Sequence, residues 1–122
     1  MRFIAAALAA AVFASGTVTA TLTTPGHTPK IRTKWYYTLR VTKDGRPAAA
    51  RITAQIVDVI GGVHPVQFGS TTKNITNYPI KGTFRDYIIW PAASSGIPLT
   101  LRFTIKVGTT KKILKYRVVP HG

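Results

Sequence analysis

The chain has 122 residues, which is enough for one domain with a workable hydrophobic core. It contains no cysteine, so disulfides and every catalytic or metal-binding role of cysteine are excluded. Seventeen lysines and arginines stand against three acidic residues, and the formal net charge is +14. This imbalance creates a positive potential around the molecule and favours anionic partners, whether cell-wall polymer, lipid headgroups or nucleic acid.

The first twenty residues have the features of a secretory signal peptide. Arg2 precedes an apolar run that ends at Ala14, and the small-residue tripeptide Val18, Thr19, Ala20 follows. The run is well short of the ~20 residues that a membrane-spanning helix needs. We expect residues 1–20 to be a signal peptide cleaved after Ala20, and the mature chain to be secreted or associated with the cell envelope, without a membrane span.

The predicted mature chain keeps the strong excess of basic over acidic residues. Loss of Arg2 leaves sixteen lysines and arginines against three aspartates, a net charge of +13, and there is no glutamate. The absence of cysteine in an exported chain favours a bacterial source.

Residues 21–33 contain Pro25, Gly26 and Pro29, and are predicted to be an extended leader before a domain at residues 34–122. Apolar and polar residues then alternate with the period of two that is typical of half-buried strands. Strands are predicted near residues 34–42, 50–59, 66–68, 75–80, 82–90, 99–107 and 114–118, with Lys111 and Lys112 at the last turn. Asp44 and Gly45 predict a tight turn, and Pro79 places its strand at a sheet edge. Turn signals recur every ~8–12 residues, which predicts an all-β sandwich of about seven strands.

Several segments resemble known protein families. The segment 41–47, Val-Thr-Lys-Asp-Gly-Arg-Pro, followed by the alternating Ile52, Ala54 and Ile56, resembles the early turn and strand of bacterial immunoglobulin-like domains. Segments 62–66, 82–86, 90–92 and 96–102 resemble small exported single-domain proteins of actinobacteria that lack an assigned activity. The resemblance implies an immunoglobulin-like β-sandwich. Its motifs are turn glycines, prolines and core aromatics, so it carries over no functional residue.

Residues that could support catalysis are few and scattered. They are Asp58, Asp86, Ser70, Ser94, Ser95, His27, His64 and His121. The serines lie in no nucleophile-elbow pattern, the histidines lack metal-ligand spacing, and Gly61 and Gly62 lack the lysine of a phosphate loop. A pair of carboxylates for glycoside chemistry would have to come from Asp58 and Asp86, which are more simply interpreted as turn or strand-end residues or as partners of arginines. We predict that the protein is not an enzyme and uses no cofactor or metal.

The last predicted hairpin carries the strongest functional signal. Six basic residues lie on its outward face or at its turn, with no acid among them: Arg102, Lys106, Lys111, Lys112, Lys115 and Arg117. This candidate anion-binding face has a simpler interpretation, in which the charges keep an exposed strand soluble and prevent edge-to-edge pairing. Nucleic acid is disfavoured as the ligand because the nearby aromatic residues are expected to face inward. Tyr36 is expected to face outward, where it could contact carbohydrate.

These observations predict a secreted, non-catalytic immunoglobulin-like module with a binding or structural role at the cell surface. Its partner would be an anionic cell-wall polymer or another surface protein. Two alternatives remain open. One is a basic polyanion-binding protein held in the cell envelope by charge, and the other is an accessory domain of an extracellular hydrolase system.

Overall fold

Nine strands build two antiparallel sheets in residues 16–122, the range that the computed structural model describes. The strands are β1 (Val18–Thr23), β2 (Lys34–Lys43), β3 (Arg46–Pro47), β4 (Ala49–Val57), β5 (Val63–Pro65), β6 (Tyr78–Lys81), β7 (Thr83–Ile89), β8 (Leu99–Val107) and β9 (Thr110–Val118). The helical structure within this range is a single 3₁₀ turn at Ala92–Ser94. The prediction of an all-β sandwich is confirmed, although β1 and the two-residue β3 raise the count above the seven expected.

Strands β2 and β4 each pair with three other strands and organise the two sheets. In the four-stranded sheet, β2 pairs with β1 along one edge and with β7 and β3 along the other. The five-stranded sheet has the order β5-β4-β8-β9, and β6 pairs with a different part of the β4 edge that carries β5. The predicted hairpin of β8 and β9 is therefore an edge of this sheet, with β4 on its other side.

The core lies between the sheets, where the inward residues of each alternating strand meet. From the four-stranded sheet these include Trp35, Tyr37, Leu39 and Val41, and from the five-stranded sheet Ile52, Ala54, Leu101, Phe103 and Ile105. The Tyr37 and Phe103 rings join the two layers, with centroids 5.5 Å apart. The alternation seen in the sequence thus separates buried side chains from outward ones on both sheets.

The Asp44–Gly45 turn has the geometry that the sequence predicts. Lys43 pairs with Arg46 across it, and both central residues have positive φ, 53° for Asp44 and 78° for Gly45. Positive φ at both central positions is the mark of a type I′ turn, whose twist matches that of the flanking strands.

The predicted domain start at residue 34 is wrong. Strand β1 covers Val18–Thr23 and pairs along its whole length with β2. Beyond it, the backbone of His27, Pro29 and Ile31 hydrogen-bonds to residues 119–121 near the C-terminus, and the Gly26 carbonyl accepts a bond from Trp35 Nε1 at 3.2 Å. Residues 21–33 are therefore part of the sandwich rather than a leader before it. Residues 1–15 of the predicted signal peptide lie outside the described range.

Candidate functional site

The outward side of the five-stranded sheet carries most of the predicted site residues. Residues directly opposite each other on paired strands share a face. Because Ile52, Phe103 and Ile105 point into the core, their sequence neighbours point outward. The outward cations, here named the cationic face, are Arg51, Lys81, Arg102, Lys106, Lys111, Lys115 and Arg117.

Three of these cations form a row across three strands. Arg51 of β4 lies opposite Lys106 of β8, which lies opposite Lys111 of β9. All three side chains are exposed. Since neighbouring strands are ~4.8 Å apart, the row places three positive charges across about 10 Å of sheet. A second pair follows further along the strands, where Arg102 lies opposite Lys115.

Two arginines of the cationic face are oriented by polar contacts. The Arg102 guanidinium donates to Gln55 Oε1 at 2.6 Å, and that of Arg51 donates to the Asn77 carbonyl at 2.9 Å. A guanidinium carries five N–H donors, so each arginine keeps further donors for an anion.

The structure separates Lys112 from the other predicted site residues. Lys112 lies opposite Ile105, whose side chain is buried in the core, so its own side chain leaves the strand on the other side of the sheet. It is exposed because β9 is an edge strand. The prediction that Lys112 belongs to the basic face is therefore wrong, because the two-residue turn at Gly108 and Thr109 fixes a register that puts Lys111 outward.

Arg51 and Lys81 belong to the cationic face and were missed by the sequence argument. The alternation of apolar and polar residues already predicts that Arg51 and Ile52 lie on different faces of the sheet. What the sequence lacks is a local signal that β4 pairs with β8, which brings Arg51 to Lys106. Lys81 follows in the same way from the pairing of β6 with β4.

No acid lies on any strand of the five-stranded sheet. Asp44 lies in the β2–β3 turn, Asp58 directly follows β4, and Asp86 lies on β7 of the other sheet. In the described range, no lysine or arginine pairs with a carboxylate. The one ion-pair geometry there joins His64 Nε2 to Asp58 Oδ2 at 2.8 Å. Among the described residues, no carboxylate therefore neutralises a charge of the cationic face.

The acidic residues have local structural roles. Asp58 closes the β4–β5 turn, where its carboxylate accepts hydrogen bonds from His64 and from the backbone N–H groups of Gly62 and Ile60. These bonds, that of His64 foremost, lower the pKa of Asp58 below its ordinary value. Asp86 accepts from the Gly69 N–H instead, at 3.0 Å. Asp58 thus directly follows a strand end, as predicted, whereas Asp86 is the middle residue of β7, so its interpretation as a turn or strand-end residue is wrong.

The candidate catalytic serines and histidines are not brought together by a shared contact. Ser94 is buried and donates to the Pro91 carbonyl, and His27 stacks on Tyr116 with ring centroids 4.2 Å apart. Across residues 16–122, no group of three histidine or acidic side chains is placed to hold a metal ion.

The outward side of the four-stranded sheet places two tyrosines next to each other. Tyr36 of β2 lies opposite Tyr87 of β7, with ring centroids 5.5 Å apart, and Tyr36 is 58% exposed. Lys34 Nζ lies 4.9 Å from the centre of the Tyr87 ring, a distance typical of a cation–π contact. The alternation in the sequence predicts that Tyr36 lies on this side, but it does not indicate an aromatic partner.

A search for membrane-crossing helices finds no candidate in the described part of the chain. No protein-family model matches this chain, and no curated protein does.

Two solved structures show a similar backbone. A DUF4466 family protein from Parabacteroides merdae gives a TM-score of 0.46 at 13% identity, over 87% of this chain and 44% of that protein. This chain therefore spans less than half of that protein. A DUF4426 family protein from Pseudomonas aeruginosa gives a TM-score of 0.47 at 15% identity, over 86% of this chain and 91% of that one. Neither description states a ligand or an activity, and no functional residue is carried over from either structure.

Proposed function

We propose that this protein is an exported, non-catalytic immunoglobulin-like module that binds an anionic polymer of the cell envelope through the cationic face. The observation that carries the proposal is the row Arg51, Lys106 and Lys111, which spans three strands with no acid on the same sheet.

Like charges directly opposite each other destabilise a sheet. Neutral polar side chains at these positions would keep the face soluble without this cost. A polymer with regularly spaced anionic groups would offset this repulsion. It would also match a flat face better than a small ligand, which needs a concave site. The outward hydroxyls of Thr53 and Thr104, opposite each other between the charged rows, would add hydrogen bonds to phosphate or sugar oxygens.

Polyanions without bases fit the cationic face better than nucleic acid does. Stacking of bases on aromatic side chains supports much of single-strand binding, and the cationic face has no aromatic residue. The nearest aromatic residues, Phe103 and Tyr116, lie on the inward side of β8 and β9. Binding would therefore be governed by charge and hydroxyl contacts.

A second contact is favoured by the tyrosine pair on the other sheet. Tyr36 and Tyr87 offer adjacent aromatic rings beside Lys34, and aromatic rings are a common surface for sugar rings. The half-exposed Ile89, opposite Lys34, extends this apolar area. This side would contact a glycan independently of its charge.

The proposal is tested by binding to immobilised polymers over a salt series. The probes are polygalacturonate, polyphosphate, neutral dextran and duplex DNA. The face variant replaces Arg51, Lys106 and Lys111 with glutamine. The control variant replaces Lys43, Arg46 and Lys73 with glutamine; all three are exposed and lie away from the cationic face, and the change in net charge is the same.

For one of the two non-nucleic polyanions, we expect the face variant to bind at least tenfold more weakly than the control variant. Each lost cation should reduce the slope of log affinity against log salt by about one. Equal losses in the two variants would contradict the proposal, because binding would then follow net charge alone. Preference for duplex DNA over both other polyanions would contradict the choice of polymer class.

A further inference from the structure

The predicted cleavage site after Ala20 lies in the middle of a strand. Strand β1 begins at Val18, and Val18, Thr19 and Ala20 pair with Lys43, Thr42 and Val41 of β2. Val18 is only 6% exposed and belongs to the core cluster. Cleavage after Ala20 would remove half of this strand and leave that end of the β2 edge without a partner.

Residue 17 is held by two hydrogen bonds to Asp44. The Thr17 N–H donates to Asp44 Oδ1 at 2.9 Å, and the Asp44 N–H donates to the Thr17 carbonyl at 2.9 Å. The ordered pairing of the domain thus extends to Thr17, one residue before β1.

Gly16, the first described residue, also lies against Asp44. Its φ is +63°, and a Cβ atom added at this position would lie 2.6 Å from Asp44 Oδ2. Its positive φ and its closeness to the Asp44 carboxylate therefore favour glycine at this position in a folded chain that includes residue 16.

The sequence around Gly16 also fits an export cleavage site. Such sites have small residues at the last and third-last positions before the cut. Ala14 and Gly16 satisfy this requirement as well as Val18 and Ala20 do, and Ala14 ends the apolar run. The peptidase acts on an unfolded chain, so both positions can be cleaved, but only cleavage after Gly16 preserves β1.

We propose that the export peptidase hydrolyses the peptide bond between Gly16 and Thr17, and that the new α-ammonium of Thr17 pairs with the Asp44 carboxylate. Hydrolysis adds one water molecule, which leaves a carboxylate on Gly16 and an ammonium on Thr17. The Thr17 nitrogen already lies at hydrogen-bond distance from Asp44 Oδ1, so the freed amine forms a charge-assisted bond without movement of β1. This inference rests on the proposed export but not on polymer binding.

The site is tested by expressing the full chain from Met1 in a bacterial host and measuring the intact mass and N-terminal sequence of the exported protein. A product that starts at Thr17 is expected. A product that starts at Thr21 would overturn the proposal and leave export intact. An unprocessed chain would overturn this proposal together with export. Neither result bears on polymer binding, which is measured separately on purified protein.

Two variants provide a matched control for the processing step. Gly16→Leu places a large residue directly before the proposed cut and should abolish the Thr17 product, whereas Ala20→Leu should leave it in place. The reverse pattern would contradict cleavage after Gly16.

The ammonium–carboxylate pair is tested by comparing Asp44→Asn in chains that start at Thr17 and at Thr21. Asparagine keeps an acceptor oxygen and tolerates positive φ, so the substitution removes mainly the charge. We expect it to lower the denaturation midpoint more in the chain that starts at Thr17. Equal effects in both chains would overturn the pair.

Discussion

Tyr37 carries a polar atom into the middle of the core. Its side chain is 2% exposed, and its hydroxyl has no hydrogen-bond partner among the described residues. Burial, and to a lesser degree the negative charge of Asp86, raises the pKa of Tyr37 well above its ordinary value. The ring itself packs well, with its centroid 5.5 Å from that of Phe103 and 6.2 Å from that of Phe84.

We expect Tyr37→Phe to leave the free energy of unfolding unchanged or to raise it. The increase should not exceed ~3 kcal/mol, because an unpaired buried polar group usually costs about 1–3 kcal/mol. Tyr37→Ala, which removes the ring, should lower it by about 3–5 kcal/mol, as loss of a buried aromatic side chain does. Urea denaturation of both variants provides the measurement. A loss above about 1.5 kcal/mol for Tyr37→Phe would mean that the hydroxyl makes a stabilising hydrogen bond.

Among the elements, β1 sets the N-terminal boundary of the folded domain. Its inward residues Val18, Ala20 and Leu22 alternate with the outward threonines 19, 21 and 23. The inward residues contact the same core as the central strands. The strand covers an edge of β2 that would otherwise expose unpaired backbone groups.

Val18→Ala should lower the free energy of unfolding by roughly 1.5 kcal/mol, because it removes two buried methyl groups. Thr19→Ala, its outward neighbour, should change it by less than about 0.5 kcal/mol. Both values can be measured by denaturant unfolding in the same chain. Equal effects at the two positions would show that the first half of β1 is not packed into the core.

For the whole molecule, the excess of positive charge opposes folding. The formal net charge is +14, and the described residues hold no Lys or Arg ion pair to offset it. Self-repulsion of this kind destabilises a compact state and weakens when salt screens it. The cationic face concentrates the repulsion, since Arg51, Lys106 and Lys111 lie directly opposite one another.

We expect the melting temperature to rise when sodium chloride is increased from about 10 mM to about 150 mM, a range over which the Debye length shortens from ~30 Å to ~8 Å. The variant in which Arg51, Lys106 and Lys111 are glutamine should be more stable than the parent at low salt, with a smaller salt response. Calorimetry at matched pH provides the measurement. A melting temperature that is independent of salt in the parent would contradict a destabilising role for this charge.

The sequence by itself determined the all-β class, the inward and outward residues of β2, β4 and β8, and the Asp44–Gly45 turn. These features depend on local rules, the period of two along a strand and the φ values that aspartate and glycine tolerate. The basic character of β8 and β9 was visible for the same reason, because both strands belong to one hairpin joined by a two-residue turn.

Only the tertiary structure decided which strands lie side by side. The pairing of β4 with β8 joins residues about fifty positions apart, and it alone brings Arg51 into line with Lys106 and Lys111. The exact register of β9 excludes Lys112 from the cationic face, since a shift by one residue reverses every side chain. The sequence did not show that the folded domain begins at β1. Val18 and Ala20 fit the pattern of a cleavage site and also the pattern of a strand. Burial of Val18 against β2 distinguishes them, and burial is a property of the folded chain rather than of its local sequence.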